Sequence, residues 1–246
     1  MKLRLDRLLQ LRDLAPTRQK AQALIAAGQV RVNDQLADKA GSLFPEDCRI
    51  EIKGNDCPYV SRGGLKLAGG LDHFGLDPTG LVCGDIGAST GGFSDCLLQR
   101  GAAKVYAIDV GYGQLAWKLR SDPRVVVMER TNARHLTPAD LPEQFDLAVI
   151  DASFISLEIL LEPVRRLVKG GGAILALIKP QFEVGKGQVG KGGVVRDPEL
   201  HEAAIARIEA FGNGLGLESH GHCPSPLLGP KGNREFLTYF TLGNNL

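Results

Sequence analysis

The first part of the chain contains two stretches whose apolar residues repeat with helical spacing. Apolar residues recur at three- and four-residue intervals from Leu5 to Leu9 and predict a helix over about residues 4–11. A second helix is predicted after Thr17, a typical N-cap residue, and Gly28 suits the position just past its end.

Short alternating stretches follow the second helix. Valines alternate with polar residues over 30–32, Asn33-Asp34 is a typical turn sequence, and isoleucines alternate over 50–52. The two alternating stretches are predicted strands. Helices combined with such short strands indicate a small α+β domain.

From residue 61 onward, apolar runs typical of strands alternate with stretches typical of helices. The predicted strands are 81–86, 104–109, 124–128, 146–151, 173–178, 217–223 and 236–242. The predicted helices are 62–74, 92–100, 113–120, 156–168 and 198–212. This alternation indicates an α/β fold, a doubly wound and mostly parallel sheet of seven strands. The last two strands are expected to form a hairpin with one antiparallel member.

Composition and charge add a possible partner to this picture. With 246 residues, 43% of them hydrophobic, the chain has room for one full α/β domain and a small additional one. The net charge is +1, but residues 1–31 carry seven basic residues against two acidic ones. This local excess indicates a polyanionic partner, and a solvated helical face is the alternative.

The cysteines and the chain start indicate a reducing compartment. The five cysteines are an odd number without any CxxC pair, which is typical of a reduced, cytoplasmic protein. The His220–Cys223 segment lacks further ligands at zinc spacing, so no metal site is expected. Charges interrupt the first residues and no run reaches membrane length, so neither a signal peptide nor a membrane partner is expected.

A glycine-rich turn follows the first predicted strand of the large domain. Gly87, Gly91 and Gly92 allow close approach of a ligand, and Asp85 precedes the turn. The spacing is not the G-x-G-x-x-G of a dinucleotide loop, and a carboxylate suits an ammonium group better than a pyrophosphate. The turn resembles motif I of methyltransferases that use S-adenosylmethionine (SAM).

Further candidates for cofactor binding lie near this turn. Asp109 ends the second predicted strand, where an acid commonly accepts ribose hydroxyls, although it is also suited simply to begin a turn. Asn132 follows the third strand and is a candidate for the adenine or a turn-forming residue. Phe93 is expected in the core. The predicted cofactor-binding residues are Asp85, Gly87, Ser89, Gly91, Asp109 and Asn132.

The N-terminal part resembles the S4 RNA-binding domain over about residues 2–53. The resemblance is carried by Arg4-Leu5-Asp6-Arg7-Leu8-Leu9 and by Thr17-Arg18-x-x-Ala21-x-x-Leu24-Ile25-x-x-Gly28-x-Val30-x-Val32-Asn33. It implies phosphate contacts, for which guanidinium groups are well shaped. The predicted RNA-binding residues are Arg4, Arg7, Arg18, Lys20 and Arg31. Each of them is alternatively a partner in a surface ion pair.

Four motifs of the large domain, together with the S4-like part, resemble the TlyA-type proteins. These join an S4 domain to an FtsJ-like ribose 2′-O-methyltransferase with a Lys-Asp-Lys-Glu tetrad. The motifs are Ser61-Arg62-Gly63-Gly64-Leu65-Lys66, Ile150-Asp151-Ala152-Ser153-Phe154, Ile178-Lys179-Pro180-Gln181-Phe182-Glu183 and Gly229-Pro230-Lys231-Gly232-Asn233-Arg234-Glu235. The resemblance implies that the catalytic residues are Lys66, Asp151, Lys179 and Glu235. Lys179 is then the candidate base for a ribose hydroxyl and Asp151 its orienting partner.

The resemblance also implies the domain plan and the function. We expect an S4-like domain at 1–54, a linker at 55–60 and a SAM-dependent methyltransferase domain at 61–246. Where some relatives have Arg-x-Trp-Val in the linker, this chain has Cys57-Pro58-Tyr59-Val60. The glycine-rich segment 185–193 is either a mobile loop beside the active site or a plain flexible loop.

The expected activity is 2′-O-methylation of cytidine in 16S or 23S rRNA, on ribosomal RNA or ribosomal subunits. The alternative is an RNA-binding or ribosome-assembly factor with a catalytically silent methyltransferase fold. A haemolysin role is not expected, because the chain lacks a membrane-length hairpin or a strongly amphipathic helix.

Overall fold

The structure of the protein is a computed structural model that describes residues 2–15, 17–26, 28–52 and 57–243. The chain divides into two compact units, Met1–Pro58 and Tyr59–Leu246. Residues 55 and 56 of the predicted linker lie outside the described residues, and the predicted domain boundaries stay predictions.

The described residues of the N-terminal unit form two helices and five short strands. Its elements are β1 Lys2–Arg4, α1 Leu5–Leu11, α2 Arg18–Ala26, β2 Val30–Val32, β3 Gln35–Leu36, β4 Leu43–Pro45 and β5 Ile50–Ile52. β3, β2 and β5 form an antiparallel sheet in that order, and β1 pairs with β4. Both predicted helices and both predicted strands are present. β1, β3 and β4 were not predicted, because two or three residues are too few to show a period.

Local signals in the N-terminal unit have the predicted geometry. The Thr17 hydroxyl accepts a hydrogen bond from the Lys20 backbone N–H at 3.1 Å, as an N-cap does. Asn33 and Asp34 have φ angles of 50° and 66°, which is the left-handed turn that joins two antiparallel strands closely. Leu5, Leu8 and Leu9 of α1 pack with Ala21 and Ile25 of α2 in one buried cluster.

The C-terminal unit is a seven-stranded sheet with helices on both faces. Its elements are α3 Gly63–Phe74, β6 Val82–Ile86, α4 Gly92–Gln99, β7 Lys104–Ile108, α5 Trp117–Arg120, β8 Val125–Met128, β9 Phe145–Ile150, α6 Leu157–Leu167, β10 Val168–Ile178, α7 Pro180–Glu183, α8 Pro198–Gly214, β11 Leu217–Pro224 and β12 Phe236–Leu242. The strand order is β11-β12-β10-β9-β6-β7-β8. β12 is antiparallel to both of its neighbours, and the predicted fold class is confirmed.

Two predicted elements differ from the observed ones. The helix predicted at 113–120 is reduced to α5, because Gly113 has a φ of +73° and Ala116 is extended. The strand predicted at 173–178 begins earlier, at Val168, and its pairing with β9 is irregular up to Ala173. Both differences arise beside glycines, which permit backbone conformations that the apolar pattern does not predict.

The core lies on the two faces of the sheet. One apolar cluster contains Leu160, Val164 and Ile205 of the helices α6 and α8, and the other contains residues of α3 and α4. β6 lies between β7 and β9, so the chain order reverses beside it. In open α/β sheets, ligands bind in the crevice outside the carboxyl ends of the strands at such a reversal.

Candidate active site

The four predicted catalytic residues line one cavity of about 950 Å³ in the C-terminal unit. Lys66 lies on α3, Asp151 directly follows β9, Lys179 directly follows β10 and Glu235 directly precedes β12. Lys66, Lys179 and Glu235 are all buried. The fold therefore brings together residues that are far apart in the sequence, and the cavity opens at the edge where the parallel strands end.

The four side chains form two ion pairs. Lys66 Nζ lies 2.5 Å from Glu235 Oε2, and Lys179 Nζ lies 2.6 Å from Asp151 Oδ1. Each buried charge thus has an opposite charge beside it, which a buried charge requires. Glu235 Oε1 is also buried and has no hydrogen-bond partner among the described residues.

Lys179 makes two further hydrogen bonds. Its Nζ donates to the Ala152 carbonyl oxygen at 3.0 Å and to Ser153 Oγ at 2.9 Å. Together with Asp151, these acceptors match the three donors of an ammonium group. The segment after β9 therefore fixes the position of the Lys179 side chain from three directions.

Glu183 fastens the segment after β10 to the segment after β9. Its carboxylate accepts from Ser156 Oγ at 2.6 Å and from the Leu157 backbone N–H at 2.9 Å, at the start of α6. Arg207 of α8 lies 3.2 Å from it. Burial raises the pKa of Glu183. This buried carboxylate holds together the two segments that carry Asp151 and Lys179.

Asn233 ties the glycine-rich segment 185–193 to the segment that carries Glu235. The Asn233 side chain donates to the Gly193 carbonyl oxygen at 3.0 Å and accepts from the Val195 backbone N–H at 3.1 Å. Val189 and Gly193 line the larger cavity. The glycine-rich segment 185–193 therefore lies beside the candidate active site, and its mobility stays a prediction.

The glycine-rich turn after β6 has the backbone that only glycine adopts easily. Gly87 and Gly91 have φ angles of +87° and +93°. A Cβ atom on Gly87 would lie 2.8 Å from the Asp151 carbonyl oxygen, so a side chain there would displace the segment after β9. The Ser89 backbone N–H donates to Asp109 Oδ2 at 2.8 Å. The turn and the end of β7 are thereby fixed to each other.

A second cavity of about 410 Å³ adjoins the first and contains most of the predicted cofactor residues. Its wall includes Gly87, Ser89, Asp109 and Asn132, and its apolar part includes Ile108, Val110, Ile155 and Leu160. Five residues line both cavities: Gly87, Ser89, Asp151, Ser153 and Phe154. Gly91, by contrast, lines neither cavity in the described part of the chain and instead packs against Leu115 and Leu119.

Asp85 lies beneath the glycine-rich turn and not in a cavity wall of the described chain. It is fully buried, and its Oδ2 accepts from the Ser94 backbone N–H at 2.8 Å and from Ser94 Oγ at 2.6 Å. Burial raises the pKa of Asp85 to about 7, and the charge of Asp151 adds to this effect. The structure thus gives Asp85 a partner in α4, and its predicted contact with a cofactor ammonium stays a prediction.

The predicted RNA-binding residues of the N-terminal unit fall into two groups. Arg4 and Arg18 both pair with the buried Asp6, and Arg31 Nη1 donates to the Asp34 carbonyl oxygen at 3.0 Å. The side chains of Arg7 and Lys20 are exposed and bind no other described residue. The ion-pair alternative therefore holds within this unit for Arg4 and Arg18, while RNA contact by any of the five stays a prediction.

Sequence reasoning assigned no role to two residues that the structure places at the site. Ser153 contacts Lys179, and Phe154 is 90% exposed with a φ of +65° where the two cavities meet. The Phe154 ring lies 5.2 Å from the Phe182 ring. Phe154 and Phe182 both belong to motifs that follow parallel strands, and this position could have indicated that they lie near the ligand crevice. Phe93 is buried in the core as predicted.

Comparison with known proteins identifies the family. A model of the FtsJ-like methyltransferases matches residues 59–242, and a model of the S4 domain matches residues 3–46. The chain belongs to the FtsJ-like methyltransferase family. Relatives named TlyA and Hemolysin A match nearly the whole chain, so the resemblance to the TlyA type is confirmed.

Three relatives show the extent of the similarity. The 16S/23S rRNA (cytidine-2′-O)-methyltransferase TlyA of Mycobacterium tuberculosis is 48% identical over 96% of this chain and 88% of that protein. Hemolysin A of Brachyspira hyodysenteriae is 39% identical over 98% of this chain and 100% of its own length. A solved structure from Streptococcus thermophilus, named as a hemolysin, has a TM-score of 0.78 at 41% identity and covers 100% of this chain and 91% of that one.

Among the described residues, no helix has the length and apolar character needed to cross a membrane. His220 pairs with Thr241, and His222 pairs with Glu209. The described part of the chain contains no group of three or more His, Cys, Asp or Glu side chains arranged to hold a metal ion.

Proposed function

We propose that the protein transfers a methyl group from SAM to a ribose 2′-oxygen of ribosomal RNA. The observation that carries this proposal is the convergence of Lys66, Asp151, Lys179 and Glu235 on one cavity that shares a wall with the glycine-rich turn. The tetrad and a nucleoside-sized cavity are thereby adjacent. A transfer reaction needs this adjacency, because donor and acceptor must be aligned within contact distance.

The smaller cavity fits the nucleoside part of SAM. Ile108, Ile155 and Leu160 offer apolar contact to an adenine ring. Asp109 accepts one backbone N–H on each oxygen, from Ser89 and Gly111, and each oxygen retains a lone pair for a ribose hydroxyl. Gly87 lines both cavities, and its lack of a side chain leaves room for the Asp151 backbone beside it. These residues would hold the cofactor, and SAM when bound supplies a methyl group activated by a positively charged sulfur.

The larger cavity would hold the acceptor ribose. A 2′-hydroxyl is a weak acid, so its attack needs a proton acceptor or strong orientation. In this proposal Lys179 Nζ is the proton acceptor and Asp151 orients both Nζ and the hydroxyl. To accept the proton, Lys179 must be a neutral amine with two N–H donors, so one of its three bonds to Asp151, Ala152 and Ser153 is absent in the reactive form and the lone pair faces the hydroxyl. Lys66 and Glu235, which also line this cavity, would fix the ribose and balance charge.

Three observations support RNA as the substrate class. The chain has an S4 domain, and its TlyA relative is named for cytidine 2′-O-methylation of 16S and 23S rRNA. In addition, the exposed Phe154 ring stands where the cavities meet, and proteins commonly stack unpaired RNA bases on such rings. We therefore infer that the target is a cytidine of 16S or 23S rRNA. The cytoplasmic location stays a prediction.

Methyl transfer from labelled SAM to purified 30S subunits, 50S subunits, naked rRNA and tRNA tests the proposal. We expect label in a ribose 2′-O-methyl group of rRNA, located by mapping the product. SAM binding is measured separately on the same preparation. Intact SAM binding without transfer to any of these RNAs would contradict the proposal and favour a binding or assembly factor with a silent methyltransferase fold.

A further inference from the structure

Asp6 is a buried carboxylate in the basic N-terminal unit. It lies in the first turn of α1, and its side chain is 0% exposed. Arg4 binds it through two nitrogens, with Nε 3.1 Å from Oδ1 and Nη2 3.0 Å from Oδ2. Arg18 Nε and Gln22 Nε2 each lie 3.0 Å from the same Oδ2. One carboxylate therefore contacts three side chains, Arg4 of β1 and Arg18 and Gln22 of α2.

The two arginines remain available to a ligand. Their side chains are 47% and 56% exposed, although both touch the buried Asp6. A guanidinium has five N–H donors in a planar fork, and Arg4 uses two of them on Asp6 while Arg18 uses one. Because both arginines contact Oδ2, the two guanidinium groups lie beside the same carboxylate oxygen. Without the carboxylate, two like charges would repel each other and two long side chains would regain their rotamer freedom.

We propose that Asp6 is a positioning residue for RNA binding, which presets Arg4 and Arg18 as a paired donor surface for the phosphodiester backbone. The proposal rests on the RNA-binding role proposed above. Phosphate oxygens match the planar fork of a guanidinium, and bidentate contacts are favoured when the fork is already oriented. In the described chain, the charged groups at this cluster are Arg4, Arg18 and Asp6 itself.

Positioning by Asp6 and net charge predict opposite changes of RNA affinity when Asp6 is neutralised. Removing the negative charge of Asp6 makes the unit more basic, and charge alone would then strengthen RNA binding. If Asp6 instead acts by positioning, its neutral variant binds RNA more weakly despite the added positive charge. The sign of the change therefore separates the two explanations.

The experiment compares Asp6→Asn with Asp38→Asn in the full chain. Asp38 is exposed and binds no other described residue, so its variant makes the same charge change without touching the arginines. Binding to purified 30S and 50S subunits and to naked rRNA is measured at several salt concentrations. We expect about tenfold weaker binding for Asp6→Asn, the loss typical of a charged hydrogen bond, and unchanged or tighter binding for Asp38→Asn. A folded Asp6→Asn variant that binds like Asp38→Asn overturns the proposal.

A second pair of variants serves if Asp6→Asn does not fold, as judged by thermal melting. Arg4→Lys with Arg18→Lys preserves charge but removes the fork, and Arg7→Lys is the matched control on an exposed arginine. We expect about tenfold weaker binding for the double variant and less than twofold change for the control. Equal behaviour of the two overturns the positioning role. Absence of RNA binding by the unaltered chain would instead refute the proposed function itself, and the inference with it.

Discussion

Lys179 and Asp151 form a 2.6 Å ion pair across the carboxyl ends of the neighbouring strands β10 and β9. The pair exists because parallel neighbours end at the same edge of the sheet, so the residue after each strand meets the residue after the other. An equivalent contact occurs at the opposite edge, where Lys169 lies 2.7 Å from Asp146. Both are pairs of a lysine and an aspartate, but of the two pairs only Lys179 and Asp151 line a cavity among the described residues.

This difference allows a controlled test of the base assignment. Lys179→Ala is expected to lower single-turnover methyl transfer by about 10²-fold or more, because it removes the proposed proton acceptor. SAM affinity should stay within a few-fold. Lys169→Ala removes the ion pair at the far edge and should leave transfer nearly unchanged. Unchanged turnover in Lys179→Ala would remove Lys179 from the base role.

Phe154 offers a test of acceptor recognition. Phe154→Ala is expected to reduce kcat/KM for the RNA substrate by about tenfold, since stacking on one base contributes about 1–3 kcal/mol. Thermal stability should change little, because the ring is 90% exposed. Trp117→Ala is the matched control, since Trp117 is 80% exposed and lines neither cavity among the described residues. Equal effects of the two substitutions would show that Phe154 has no special contact with the substrate.

Asp85 gives the C-terminal unit a predictable pH dependence. Its pKa is raised by burial from an ordinary 3.8 to about 7, so the folded state binds this proton more tightly than the unfolded state. The stability that this proton contributes is therefore present at low pH and is lost as pH rises from about 4 to about 7. The upper limit of this loss is about 4 kcal/mol.

Asp85→Asn removes the titrating group and preserves an oxygen for the Ser94 donors. The variant is expected to be more stable than the unaltered chain at pH 8, with a much smaller difference at pH 4. Urea unfolding at both values measures the difference. If the two chains lose stability in parallel from pH 4 to pH 8, Asp85 does not titrate in this window.

RNA anchoring is best tested away from Asp6. Substituting Arg4 and Arg18 by glutamate would place two carboxylates against the buried Asp6, so that variant is expected to unfold the N-terminal unit. Arg7→Glu with Lys20→Glu avoids this problem, because both side chains are exposed. We expect weaker rRNA binding and a salt dependence of log Kd whose slope is smaller by about one unit per lost phosphate contact. Unchanged affinity would contradict the role of this unit as the anchor.

The order of elements was accessible from the sequence, because apolar periodicity is a local property of the chain. Alternating strands and helices predicted a parallel sheet, and the sheet rule then placed Asp151 and Lys179 at one edge. The glycines of the turn after β6 were equally readable, since a φ near +90° at Gly87 is a local requirement. The tetrad itself came from family resemblance, which the relatives confirm at the level of the family and not of each residue.

Tertiary structure alone decided the partners of the charged side chains. Lys66 pairs with Glu235 across 169 residues of sequence, and Arg18 of α2 turns to the Asp6 of α1. Asp85 has a partner in α4 that the sequence did not indicate, the Ser94 backbone N–H. The partner of a charged side chain depends on which sequence-remote elements lie near it, and its burial depends on the elements that pack over it. Local patterns therefore predict which elements form, whereas long-range packing determines what each charge meets.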